Sequence, residues 1–307
     1  MKTISLNDVE IEIGQAAVTL SPTLTSDVAG KAPTNSALTW TSSNEAIATV
    51  DQNGKVTPVA PGNATITATA QDGSGVSGSC TVTVTQPWKE FNVGDYVVRK
   101  NLTKEIEFYS DLTTAQNAGN VVGIVISKTN PRATDPMLPE SCTHGIAIAM
   151  GEGNGKWWSD SYHANATTVA SWAAQNGYAF VADGNQYSGY TNTLALKAYI
   201  AAHSGLSSGV VDAFNSYNNN GPGLPNGTSP YYIPSAPAMK DVAKLSNMSW
   251  AFADKIQGAG GVRFTNSQYW TVSETGTTMA TSINPLTGNA AGSQKTSDYK
   301  LRYVFAF

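Results

Sequence analysis

Charge is scarce in this 307-residue chain: Asp, Glu, Lys and Arg make up 13% of it, about half the roughly 25% usual in soluble proteins. Thr, Ser, Asn, Gly and Ala take the vacated positions, a polarity that suits an extracellular or virion β protein better than a cytosolic enzyme. The formal net charge is -4 and no basic stripe interrupts it, so nucleic acid is not an expected partner. No apolar run approaches the ~20 residues of a membrane-spanning helix, and membrane insertion is not expected. Cysteine occurs twice, at Cys80 and Cys142. The two lie far apart and read as buried free thiols rather than a bridge. With no CxxC and no Cys/His cluster, neither a metal nor another cofactor is expected.

Histidine is nearly as rare, with three residues. Catalysis needs convergent ionisable groups, and none of the three supplies them. His144 opens an apolar run and reads as structural. His163 lies in WWSDSYH, a loop or rim. His203 ends a helical pattern, where a cationic side chain suits the helix dipole. Gly205-Leu-Ser-Ser-Gly209 matches the nucleophile-elbow spacing, but it follows a helix where that motif requires a strand. Gly151-Glu-Gly153-Asn-Gly155 is glycine-rich without the Lys or the following helix of a phosphate loop. No catalytic residue is expected, and the chain reads as a non-enzyme.

The first third is rich in alternation and turns. Val9, Ile11 and Ile13 alternate with Glu10 and Glu12, a strand with one wet face. Leu38–Ser42, Ile47–Asp51, Ala64–Thr69 and Ser79–Thr85 repeat the pattern. Asp51–Gly54, Pro61-Gly62 and Asp72-Gly73 supply tight turns between them. Six or seven short strands at this spacing predict a β-sandwich, with Trp40 as core packing. Pro87 cannot continue a central strand, so the spacing places a sandwich over 1–86 and a linker over 87–90. The motifs Trp40, Ser42-Ser43-Asn44, Ala48-Thr49-Val50-Asp51, Gly54-Lys55-Val56, Gly62, Ile66 and the Cys80 strand together resemble the bacterial immunoglobulin-like group 2 (BIG2) domain. That resemblance implies a surface spacer of the kind found in adhesins and phage virions.

From Phe91 onward the pattern mixes. Strands are expected at Gly94–Val98, Val121–Ser127 and Gly145–Met150. Helices are expected over 165–175, Thr191–His203 (capped by Thr191 or Asn192), Asp212–Tyr217, Ser235–Leu245 and Trp250–Ile256. Pro-rich Lys128–Cys142 and polar Asn218–Ser229 read as loops. The tail from Gly261 reads as β, and KLRYVFAF, apolar on both faces, as a central strand. GDYVV, VVGIVIS, HGIAIAM, GYTNT, YYIPSAPAMKDVAKL, YWTVSE and RYVFAF, in that order, resemble the C-type-lectin-like domains of Bacteroidetes surface proteins and their phages. The fold class this implies over 91–307 is α+β: two helices around a twisted antiparallel sheet, with adjacent ends. The same fold carries the targets of diversity-generating retroelements. The Glu-Pro-Asn, Gln-Pro-Asp and Trp-Asn-Asp tripeptides of calcium-dependent lectins are missing, and Asp254, Glu274 and Asp298 are scattered, so no metal is expected.

The stretch from Tyr269 to Tyr299 offers Thr, Ser and Asn between tyrosines, the adaptable chemistry of a binding loop. It reads either as an ordinary solvated hairpin or as a ligand face. The ligand-face reading takes Tyr269, Thr271, Ser273, Thr275, Thr277, Asn284, Asn289, Lys295 and Tyr299, with Trp157 and Trp158 either stacking on a sugar or packing in the core. Trp270 and Glu274 should point inward. The expected partner is a bacterial surface glycan or protein, together with virion structural proteins; self-association stays open. MKTISLNDVEIEIG has no apolar h-region or cleavage site, which favours the virion surface over the alternative, an extracellular cell-surface or fimbrial adhesin. A structural decoration without a ligand is the third reading.

Overall fold

The computed structural model describes residues 2–307 apart from 27, 29, 86–88, 159–166, 183–185 and 247–249. His163 and the Gln86–Trp88 hinge lie outside the described residues. The chain divides into two compact units, Met1–Lys89 and Glu90–Phe307.

The first unit contains β1 (Thr3–Ser5), β2 (Val9–Glu12), β3 (Val18–Thr19), β4 (Thr23–Thr25), β5 (Leu38–Ser42), β6 (Ala48–Val50), β7 (Lys55–Pro58), β8 (Gly62–Ala70) and β9 (Ser77–Thr85). They form a four-stranded sheet, β2-β9-β8-β5, a three-stranded sheet, β3-β7-β6, and the β1-β4 ribbon. The strands beyond the expected six or seven are short pieces of two or three residues, too brief to register as alternation. Ile11, Trp40, Ile66, Val82 and Val84 from the larger sheet meet Ala48 and Val56 from the smaller in one core. The β6–β7 turn follows from its residues. The Asp51 carboxylate accepts from the amides of Asn53 (2.8 Å) and Lys55 (2.9 Å). Gly54 adopts φ 74°, a conformation that a β-carbon disfavours.

The second unit adds β10 (Tyr96–Arg99), β11 (Ile106–Tyr109), α1 (Leu112–Ala118), β12 (Asn120–Ser127), β13 (Ile146–Gly155), α2 (Val169–Gln175), α3 (Gly189–Ala202), α4 (Gly209–Asn220), α5 (Ala236–Ser246), α6 (Ala251–Gly258), β14 (Tyr269–Glu274), β15 (Met279–Ile283), β16 (Ala290–Gln294) and β17 (Tyr299–Ala306). One eight-stranded sheet runs β11-β10-β12-β13-β17-β14-β15-β16. All its pairings are antiparallel except β14–β17. The tail strand β17 is central, and residues 301–307 are buried throughout. The described α-helices number six rather than the two helices implied by the lectin-like resemblance. The glycine-rich 151–155 stretch extends β13 beyond the expected Met150, with Glu152 opposite Arg302 and Gly155 opposite Tyr299. The ends of the unit meet, since the Phe91 ring lies 5.1 Å from that of Phe307.

Helix α3 begins at Gly189, earlier than its expected cap. Its first-turn amides are satisfied from a distant loop instead: the buried Asp135 carboxylate accepts from Tyr190 N (2.8 Å), Thr191 N (3.2 Å) and the Thr191 hydroxyl. Burial pushes the Asp135 carboxyl up, against the pull of those donors. Cys80 and Cys142 are both free and buried, and burial holds the Cys142 thiol up at about 11.

Candidate functional site

YWTVSE forms β14, which lies between β17 and β15 with α3 and α5 packed against it. Both of its faces are therefore covered. Tyr269, Thr271 and Ser273 are buried, against the ligand-face reading, and their polar atoms are spent internally. The Tyr269 hydroxyl donates to Glu152 Oε2 (2.7 Å), and Thr271 Oγ1 to the Thr281 carbonyl (2.9 Å). Ser273 Oγ accepts from Ala236 N (3.1 Å). Asn284 is buried as a turn-former: its Oδ1 accepts from Leu286 N (3.0 Å), and its Nδ2 donates to Asn266 Oδ1 (2.8 Å). Trp157 and Trp158 are core residues rather than a sugar platform. They pack edge-to-face on each other at 6.1 Å, with Trp157 on Trp270 at 6.4 Å and Trp158 on Tyr199 at 5.8 Å. Trp270 and Glu274 point inward, as the sequence reading expects.

Lys295 is the largest departure from that reading. Its side chain is 0% exposed and pairs with Glu274, itself 2% exposed. The ammonium donates to Glu274 Oε1 and to the carbonyls of Gly276 (2.8 Å) and Thr277 (3.1 Å), which uses all three protons. It also lies 4.0 Å from the Trp158 ring centroid and 5.3 Å from that of Trp157. Burial pulls its pKa down to about 8, while Glu274 opposes the shift. The Glu274 carboxylate turns its other lone pairs to the start of α2, accepting from Val169 N (3.0 Å) and Ala170 N (3.1 Å). One buried ion pair therefore fixes a helix end and the 275–278 turn together. Sequence spacing gave no sign of this, because a lone Lys in a polar stretch normally reads as solvated.

The solvent-facing remainder is small. Thr275, Thr278 and Asn289 are exposed, and Thr277 and Tyr299 are half-buried. The structure does not bring them into one face. Thr275 and Thr277 stand before β15, where Met279 pairs with Gln294; Asn289 stands beyond its far end, where Ile283 pairs with Ala290. The ends of a five-residue strand lie roughly 14–17 Å apart. Ala280, Ser282, Ile283, Asn284 and Leu286 between them are buried. The Thr275–Asn289 stretch is thus a supported hairpin whose turn at 275–278 is its polar tip. The tip is closed by Thr275 N and Gly276 N on the Met279 carbonyl (both 3.1 Å) and by Lys295 N on that of Thr278 (2.9 Å).

A second buried cluster supports the neighbouring strands. Glu152 accepts from Lys300 (2.5 Å) and faces Arg302 (3.3 Å), whose guanidinium also donates to the carbonyls of Met150, Gly151 and Val262. His144 is half-buried, and burial lowers its pKa. His203 faces the Tyr199 carbonyl (2.6 Å) and stacks on that tyrosine. Gly205–Gly209 links α3 to α4, with no strand before it. Among the described residues no group of His, Cys, Asp and Glu is arranged to hold a metal.

Residues 1–84 match the bacterial Ig-like domain family, group 2. An uncharacterised protein of Clostridium acetobutylicum is 43% identical over 84 residues, which are 27% of this chain and 8% of that protein. The chain thus spans a small part of the length of the curated relative it matches. Among solved structures, a fimbrial protein from Bacteroides ovatus aligns with a TM-score of 0.57 at 14% identity, covering 99% of this chain and 71% of that one. At that identity the likeness concerns the fold alone. The first unit is a bacterial Ig-like domain, and the second is a helix-plus-sheet unit.

Proposed function

We propose that the chain is an extracellular surface display protein without catalytic activity. In this reading the Ig-like unit is a spacer, and the second unit, of the C-type-lectin-like kind, presents a contact surface to a glycan or protein on a bacterial surface. The observation that carries it is the polar 275–278 tip, held rigid from beneath by the Lys295–Glu274 pair. A tip whose backbone is already fixed loses little entropy on contact, and Thr side chains give adaptable hydrogen bonds. The meeting of Phe91 and Phe307 supports the lectin-like reading of the unit; the six helices are additions to it. The likeness to a fimbrial protein favours the bacterial cell surface over the virion.

The test is binding of the full chain to a glycan array and to whole bacterial cells, beside the variant Thr275→Arg/Thr278→Arg. Both substituted positions are exposed, so the fold should survive. Loss of binding in the variant supports the tip as the contact. Equal binding by the variant, or none by the parent chain, overturns it.

A further inference from the structure

Arg99 ends β10, opposite Ile106 on one side and Asn120 on the other. Its Nε is buried and has no hydrogen-bond partner. Its side chain makes no ion pair among the described residues, because the carboxylates of the same hairpin are engaged elsewhere. Glu107 pairs with Lys100 (3.3 Å), and Glu105 accepts from Thr103 Oγ1 (3.0 Å). A buried guanidinium nitrogen with no acceptor is costly. The residue as a whole is only half-buried, so the remainder of its fork reaches solvent.

The surroundings are built rather than loose. The β10–β11 turn closes with Lys104 N on the Lys100 carbonyl (3.1 Å), and Lys104 takes φ 59°, rare for a residue with a β-carbon. Asn226 ties this turn to the loop after α4, through its amide on the Lys104 carbonyl (2.8 Å) and its Nδ2 on that of Thr103 (3.4 Å). Gly223 in that loop stands against the guanidinium: a β-carbon there would lie 3.7 Å from Arg99 Nε and Cζ. Lys104 and Asn226, on the tied turn and loop, are exposed.

We propose that Arg99 is the anchor of an anion subsite that takes the carboxylate of an acidic sugar. A planar fork with free donors matches a carboxylate in two-point fashion. Lys104 adds positive charge in a protein of net charge -4, and Asn226, whose Nδ2 is engaged on Thr103, keeps its Oδ1 to accept from a sugar hydroxyl. This site lies on the β10–β11 hairpin at the opposite end of the sheet from the 275–278 tip and does not depend on it.

The experiment is calorimetric titration of the full chain with trigalacturonate and with its methyl ester, at low salt. The acid should bind, and the ester at least about tenfold more weakly, because it loses the charge-assisted pair. Arg99→Gln should behave with the acid as the parent does with the ester. Lys104→Gln should weaken binding by about twofold to threefold and flatten its salt dependence. Gly223→Asp supplies an internal carboxylate against the fork. It should raise the melting temperature of the unit and abolish binding, which separates occupancy of the subsite from unfolding. Thr275→Arg/Thr278→Arg should leave this titration unchanged. Failure of the parent to bind the acid overturns the proposal. So does equal binding of acid and ester, unchanged binding by Arg99→Gln or Gly223→Asp, or equally tight binding of triglutamate.

Discussion

A lysine in a Thr- and Ser-rich stretch is normally the most solvated residue of its neighbourhood, so the burial of Lys295 calls for a physical account. Its ammonium has left water for three oxygen acceptors and the faces of two tryptophans. The acceptors lie on the 274–277 stretch and the rings at 157–158, so one ammonium ties those two segments together. Breaking a buried pair from one side leaves the other charge stranded, which typically costs about 3–5 kcal/mol, whereas neutralising both partners costs much less. Lys295→Met should therefore strongly lower the denaturant midpoint of the second unit, and Lys295→Met/Glu274→Gln should recover much of the loss. Tryptophan fluorescence reads the transition, since Trp157, Trp158 and Trp270 surround the site. If the double variant were as damaged as the single one, the pair would not be coupled in the way the geometry indicates.

At the scale of elements, the close approaches are made by backbone. A β-carbon on Gly155 would lie 2.4 Å from the carbonyl carbon of Gly209, so the end of β13 touches the start of α4 directly. The Gly155 carbonyl also accepts from Trp270 Nε1 (2.9 Å). Gly155→Ala must push α4 outward or bend β13, and overpacking of this kind costs about 1–3 kcal/mol. Thermal unfolding of the variant checks it; Gly177→Ala is no control, because its φ of 76° adds strain of its own, whereas Gly276→Ala has open space and is. This contact also shows what could be read in the sequence. Alternation gave the β5, β8 and β9 strands and the central position of β17, because burial of one or both faces dictates side-chain pattern. The extension of β13 past Met150 through GEGNG was not legible because its glycines carry no pattern; they serve close packing, which only the partner helix explains. The cap of α3 was invisible for the same reason, since Asp135 reaches it from another loop. Of the candidate site, Thr275 and Asn289 face solvent as a polar stretch suggests. Tyr269, Thr271 and Ser273 do not, because period-two polarity in a strand covered on both faces reports internal hydrogen bonding; Asn284 and Lys295 do not, because a turn and a buried ion pair take up their polar groups.

At the scale of the whole molecule, the two units differ in their alkaline chemistry. Every tyrosine lies beyond residue 89, and the first unit has none. In the second unit burial pushes Tyr269 up to about 12 and raises Tyr217, Tyr231, Tyr232 and Tyr303 as well. A phenol whose folded pKa exceeds its unfolded value near 10 keeps its proton in the native state after the unfolded chain has lost it. The stability it contributes is complete below about pH 10 and disappears as pH climbs through the folded value. Lys295 acts with the opposite sign. Its native pKa near 8 lies below the ordinary 10.5, so between those values the unfolded chain holds the extra proton and stability rises with pH. Burial lowers Lys255 in the same sense. The second unit should therefore hold or gain slightly from about pH 8 to 10 and then fall steeply above it, the raised phenols outweighing the two amines. Among the described residues of the first unit only the Cys80 thiol is pushed the same way as those phenols, so this unit should decline far less. Calorimetry of the full chain across this range should show one melting transition moving sharply down above pH 10 while the other moves little. Beyond the contribution of the solvent-accessible Tyr178 and Tyr299, phenolate absorbance should appear with the moving transition and not before it. Two transitions falling in parallel, or most of the phenolate rising ahead of unfolding, would mean that the aromatic core of the second unit does not exclude water as its packing requires.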